Sequence, residues 1–140
     1  MKIAILAVGK LRDRHVGALC DDYLARTRRH LPVEVIEPED DAALARRWPA
    51  SGEVIALEPG GLSWSTEELA RQIDRRMTHG TRALTFVIGG ADGIPAALVA
   101  KANLRLSLSA LTLPHRLARL ILCEQIYRAL TIIRGEPYHH

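Results

Sequence analysis

Five short apolar runs alternate with five amphipathic or capped stretches along this chain, and that alternation constrains the fold more than any other feature. Lys2–Val8 is a nearly continuous apolar run ending at Gly9, the pattern of a strand covered on both faces. Arg14–Arg29 then sets Val16, Leu19, Cys20, Tyr23 and Leu24 at helical spacing opposite a charged side. After Pro32 the pattern predicts a strand over Val33–Ile36, a short helix over Asp40–Trp48 and a third strand over Val54–Leu57 that stops at Pro59-Gly60-Gly61. Ser65 and Glu68 form a capping box, so a helix is predicted over Thr66–Thr78, closed by His79-Gly80. Ala83–Ile88 is the fourth strand and runs into Gly89-Gly90-Ala91-Asp92-Gly93, after which Pro95 opens a helix to about Ala102. Leu104–Leu108 reads as a fifth strand, Ser109–His115 as a loop, Leu117–Ile133 as a long helix and Arg134–His140 as a tail. The order predicts an α/β fold, a mostly parallel sheet with flanking helices. At roughly 100–200 residues per domain, 140 residues make one domain spanning 1–140. In such sheets ligands sit outside the carboxyl ends of the strands, which directs attention to the loops after strands three, four and five.

The final helix carries Leu117, Leu120, Ile121, Leu122, Cys123, Ile126, Tyr127, Leu130, Ile132 and Ile133, which leave almost no polar face. Such a helix must be buried on nearly all sides. One side can pack on the sheet; the other calls for a partner, and a symmetric dimer is the economical answer, with a helix wedged inside the monomer as the alternative. Arg119, Glu124 and Arg128 interrupt the run, which argues against a membrane span. The opening MKIAILAVGKLRDR lacks the small-residue cleavage site of a signal peptide. Cys20 and Cys123 show neither Cys-x-x-Cys nor Cys/His spacing, so no disulfide framework and no metal are expected, and a reducing cytoplasm fits.

A formal charge of +3 is too small to announce a nucleic-acid partner, but its distribution is uneven. Met1–Ala100 sums to −1 and Lys101–His140 to +4. Of the 19 cations 16 are Arg, whose planar fork suits phosphate and bases, although codon bias explains that count equally well. The Gly89–Gly93 loop has neither dinucleotide-fingerprint nor P-loop spacing; it can present backbone N–H groups to a ligand or simply make a tight turn. Ser109–His115 sets two hydroxyls among small and apolar side chains, suited to holding a flat heterocycle through backbone groups, or forms an ordinary helix entry at Pro114 with His115 capping or packing. The tail gathers Arg134, Tyr138, His139 and His140, a set that can stack on a base and handle its protons, although chain ends are commonly frayed.

Taken together, FVIGGADG (Phe86–Gly93), LSLSALTLPHRLARLILCEQIYRAL (Leu106–Leu130) and RGEPYHH (Arg134–His140) closely resemble the bacterial large-subunit ribosomal RNA pseudouridine N3-methyltransferases, small members of the SPOUT class. KIAILAVGKL and VIALEPGG match as well, so the resemblance spans the chain; Pro38–Ser51 looks shorter than the family's helical insertion. The resemblance implies a C-terminal trefoil knot, a rare exception to unknotted topology. It implies S-adenosylmethionine bent into the knotted loops, touching Leu57, Gly90, Ser109, Ala110, Leu111, Thr112, Leu113 and Pro114. It further implies a homodimer in which one subunit's tail approaches the other's donor site, and a pseudouridine of 23S ribosomal RNA as substrate within the assembled 70S ribosome. Attack of ring N3 on a sulfonium methyl needs alignment plus deprotonation or anion stabilisation at N3. Tyr138 and His139 are expected beside the base and Arg128 or Arg134 near a phosphate or the imide anion. His139 is the better base, with an unperturbed pKa near neutrality. Three rival classes remain: a non-enzymatic RNA-binding module of this fold, a related methyltransferase acting on tRNA or protein, and a flavodoxin-like domain, which leaves the apolar helix and tail unexplained.

Overall fold

The computed structural model describes all residues from Met1 to His140. Along the chain run β1 (Lys2–Ala7), α1 (Arg14–Thr27), β2 (Val33–Ile36), α2 (Asp41–Arg47), β3 (Glu53–Ser63), α3 (Thr66–Thr78), β4 (Ala83–Ile88), α4 (Ala96–Val99), β5 (Leu104–Ser107) and α5 (His115–Arg134). The strands form one sheet in the order β2-β1-β4-β3-β5, and every pairing is parallel. Asp13, Asp40 and Ser65 start the first three helices, their side-chain oxygens accepting from the N–H groups of Val16, Ala43 and Glu68.

Both faces of the sheet are covered, as the near-continuous apolar strands require. Under α1, α3 and α5 lies the larger core, with Ile3, Ile5, Leu84 and Phe86 of the sheet against Ile73, Leu122, Ile126 and Leu130 of the helices. The opposite face is smaller and packs Leu6, Val54, Ala56 and Val87 against Leu44 of α2 and Leu98 of α4. α5 packs against both α1 and α3. Much of its apolar surface therefore finds partners within the chain: Leu122, Cys123, Ile126, Ala129 and Leu130 are buried, and Leu120, Ile132 and Ile133 pack on the same cluster. Full burial of each of Leu122, Ile126 and Leu130 contributes about 1.5–3 kcal/mol. Among the apolar side chains that stay open are Leu19 of α1, 49% exposed, and Leu117 of α5, 37% exposed. None of the helices is long and apolar enough to cross a membrane.

Three elements, β3, α4 and α5, depart most from the sequence reading. β3 does not stop at Pro59-Gly60-Gly61. Leu57 and Leu62 both lie opposite Leu106, so Glu58–Gly61 arches out of the ladder and the strand resumes. Gly60 takes the turn at φ +80°, and Gly61 approaches β5 so closely that a Cβ would lie 2.8 Å from the Arg105 carbonyl carbon. α4 is a single turn, with Pro95 at its N-cap, and the chain leaves it in turns before Asn103 bonds to β3. α5 begins at His115, two residues before the apolar run, and ends where Gly135 adopts φ +70° and Glu136 N–H closes onto Thr131 O at 2.8 Å.

Candidate active site

Because the sheet is parallel, the carboxyl ends of β4, β3 and β5 stand side by side, and three loops meet there. After β4, Gly89 is hemmed in by the Gly93–Ile94 backbone, and Gly93 N–H bonds to Gly90 O at 3.0 Å. Gly90 is different: a Cβ there would meet only Val8, at 3.4 Å, an ordinary contact. After β5, Ser107 Oγ donates to Ser109 O and Leu111 N–H donates to Ser109 Oγ, each at 2.9 Å, which curls Ser109–Leu111 into a tight turn. Leu111 is left 77% exposed, and the N–H groups of Ala110, Thr112 and Leu113 have no partner within the chain. Exposed or half-buried, these donors are open to water or to the polar edges of a small ligand, with apolar side chains beside them.

α5 starts at this end, and His115 fastens it. Its Nδ1 lies 3.0 Å from Gly89 O, and since a carbonyl only accepts, Nδ1 carries the hydrogen. Burial pushes this imidazole below its ordinary value, against the opposing effect of the Gly89 carbonyl. His115 is a packing histidine, as the sequence reading has it. One turn on, buried Arg119 donates to Glu37 Oε2 at 2.7 Å and to Gly9 O at 3.3 Å. It closes a cavity of about 260 Å³ that Cys20 and Cys123, both free thiols, also line.

The tail folds back along the second half of α5. Arg128 Nε donates to Glu124 Oε1 at 2.7 Å, and its guanidinium carbon lies 4.7 Å from the centre of the Tyr138 ring. Tyr138 donates its hydroxyl to the same Glu124 oxygen at 3.2 Å and stacks edge-on against Tyr127. Burial, with help from Tyr23 and the Glu124 carboxylate, pushes the Tyr138 phenol up to about 12. His139 bridges Arg128, 3.1 Å from its Nδ1, and Glu67 of α3, 2.7 Å from its Nε2. Arg134 stands apart, exposed and paired with Glu136 at 3.2 Å.

The expected site residues thus fall into two groups. Leu57, Gly90 and Ser109–Pro114 gather at the carboxyl ends of the strands; Arg128, Tyr138 and His139 gather on α5, and no hydrogen bond or ion pair joins one group to the other. At about 1.5 Å per residue, His115 and Arg128 are roughly 20 Å apart along the helix. Glu124 and Glu67 were not singled out from sequence. Glu124 could have been, standing four residues before Arg128 on one helix face; Glu67, 72 positions from His139, had no such signal.

Residues 1–139 match the family model described as predicted SPOUT methyltransferase. The chain belongs to the SPOUT methyltransferase family. Among relatives of this SPOUT chain, a protein of Sorangium cellulosum named Ribosomal RNA large subunit methyltransferase H is 44% identical over 145 residues, covering 100% of both chains. A protein of Syntrophotalea carbinolica with the same name is 41% identical over 155 residues, covering 100% of this chain and 99% of the other. Among solved structures, a methylase family protein from Haemophilus influenzae superposes with a TM-score of 0.56 at 12% identity, over 95% of this chain and 66% of that one. The SpoU methyltransferase AviRb of Streptomyces viridochromogenes, solved with AdoMet, gives 0.53 at 12% identity over 89% and 56%. The chain thus spans about two thirds or less of these structures, and at such identity the likeness concerns the SPOUT fold alone.

Proposed function

We propose that the protein is a homodimeric methyltransferase that moves a methyl group from S-adenosylmethionine to N3 of a pseudouridine in 23S ribosomal RNA, acting in the cytoplasm on the assembled 70S ribosome. The observation that carries this reading is that a SPOUT chain 37–44% identical along its length to proteins named Ribosomal RNA large subunit methyltransferase H presents an open loop at the strand ends and a cationic, aromatic tail on α5, which we read as the two halves of a transfer site. One half is the donor loop; the other is the cationic, aromatic tail.

When bound, S-adenosylmethionine supplies a methyl on a sulfonium sulfur, a neutral leaving group that needs no metal. The residues present fit it. The unpaired N–H groups of Ala110, Thr112 and Leu113 would hold its polar edges, with Leu57, Gly90, Ser109, Leu111 and Pro114 around it. The new N3–carbon bond forms as the carbon–sulfur bond breaks, and N3 gives up its proton. The chain's work is alignment and charge stabilisation. Arg128 meets the imide anion; Tyr138, its phenol held protonated, offers a ring face and a hydroxyl; His139 lies beside them, and exposed Arg134 meets a phosphate.

A dimer is supported by the span between the halves. Transfer requires reacting atoms about 3–3.5 Å apart, whereas roughly 20 Å of helix separate His115 from Arg128. A second subunit would bring its tail to this subunit's loop, and the apolar side chains left open, Leu19 and Leu117 among them, give it a place to dock. The reading carries the trefoil knot with it. Labelled methyl incorporation into 70S particles, separated subunits and free RNA, with the product mapped, tests it. Incorporation at N3 of one pseudouridine in 70S particles is expected; equal incorporation into free RNA, or a product other than N3-methylpseudouridine, would overturn it.

A further inference from the structure

Both ring nitrogens of His139 are engaged. Arg128 Nη1 stands 3.1 Å from Nδ1 and Glu67 Oε1 stands 2.7 Å from Nε2. A guanidinium nitrogen only donates and an ionised carboxylate only accepts, so one neutral tautomer satisfies both contacts, with the hydrogen on Nε2 and the lone pair on Nδ1. That lone pair points at Arg128. No acceptor remains on the ring for a substrate proton. Glu67, at the start of α3, is the anchor: the hydrogen bond from His139 holds its carboxyl below the ordinary value, and Thr66 Oγ1 ties the same turn to Gln125 of α5 at 2.7 Å.

We propose that His139 and Glu67 are positioning residues that aim the Arg128 guanidinium, and that His139 is not the proton acceptor. This rests on the reading of the tail as the base-facing half of the methyl-transfer site. Arg128 is fixed by Glu124 at Nε, by His139 at Nη1 and by the Tyr138 ring beneath it, while Nη2 has no partner in the chain. Its one free edge is therefore a pre-aimed donor for an anion. The N3 proton passes to solvent water, the imide anion forms against Arg128 Nη2, and its lone pair makes the N3–carbon bond as the carbon–sulfur pair stays with sulfur.

Glutamine separates the two roles, because its amide can accept from Arg128 and donate to Glu67 but cannot act as a base. In single-turnover methylation of 70S particles by the full-length protein, His139→Ala is expected to lose about 10- to 100-fold, the size of one charge-assisted hydrogen bond. His139→Gln should stay within about threefold of wild type, with an unchanged pH profile. Glu67→Ala should lose activity while Glu67→Gln, which still accepts from Nε2, should retain it, and Glu67→Ala should add nothing in the His139→Ala background. His139→Gln as inactive as His139→Ala, or Glu67→Ala as active as wild type, would overturn the proposal. Thermal melts and calorimetric titration with S-adenosylmethionine establish that each variant is folded and binds donor. Failure of the wild type to methylate ribosomes would instead overturn the underlying reading.

Discussion

His115 donates Nδ1–H to the carbonyl of Gly89 at 3.0 Å, so a neutral imidazole joins the first turn of the last helix to the end of the central strand. The bond holds together the two loops that would embrace the methyl donor, while burial around the ring disfavours its charged form more than the Gly89 carbonyl favours it.

Stability should accordingly fall in mild acid. Burial lowers the folded-state value of His115, whereas the unfolded chain takes up the proton at the ordinary 6.5. The unfolded state then binds more protons, so stability is lost as pH drops from about 7.5 to about 5.5. His115→Gln should flatten that dependence. Urea midpoints at both pH values measure it, and an unchanged slope in the variant would rule His115 out as the cause.

Two glycines should respond differently to alanine. Gly61→Ala puts a Cβ 2.8 Å from the Arg105 backbone and should cost about 2 kcal/mol by forcing β3 from β5. Gly90→Ala meets only Val8 at 3.4 Å and should leave the melting temperature within a degree or two while weakening S-adenosylmethionine binding about tenfold or more. Calorimetry and thermal melts on the same samples decide; undiminished binding by Gly90→Ala would mean the donor does not approach that backbone.

Arg119→Ala should destabilise by about 2–3 kcal/mol, since it strands the Glu37 carboxylate and enlarges the cavity beside Cys20 and Cys123. Burial works against the ionised Glu37, and the hydrogen bonds from Arg119 and from the Leu11 N–H bring it below its ordinary value. Adding Glu37→Gln should recover part of the loss, as read from denaturant midpoints; no recovery would show that the ion pair is not the source.

Mixed dimers test whether the site is shared. A subunit with Gly90→Trp, crippled at the donor loop, and one with Arg128→Ala, crippled at the tail, should each be inactive. Mixed and re-equilibrated, they should regain about a quarter of wild-type activity, because half the dimers then carry one intact composite site. No regain on mixing would mean that each chain catalyses alone.

Much of the fold was legible because local and global signals agree. Ser65 with Glu68, the apolar runs of β1 and β4, and Pro95 each announce an element that tertiary packing then uses. The arch in β3 was not legible, because Pro59-Gly60-Gly61 ends a strand anywhere that a neighbour does not recapture the chain; here Leu106 pairs with residues on both sides of the arch. The loops proposed to hold the donor were legible as candidates from their glycines, small residues and family likeness. The setting of His139 could not: composition marks an imidazole at the chain end as a base, and only the fold shows Glu67 and Arg128 claiming its two nitrogens.

The burial of α5 between α1 and α3 also bears on how the protein is made. Leu122, Ile126 and Leu130 leave the synthesising ribosome after α1, α3 and all five strands, so until then the nascent chain must wait with the α1–α3 side of its sheet partly bare. A stop codon that removes only the closing helix would thus yield an open, sticky precursor rather than a smaller stable domain.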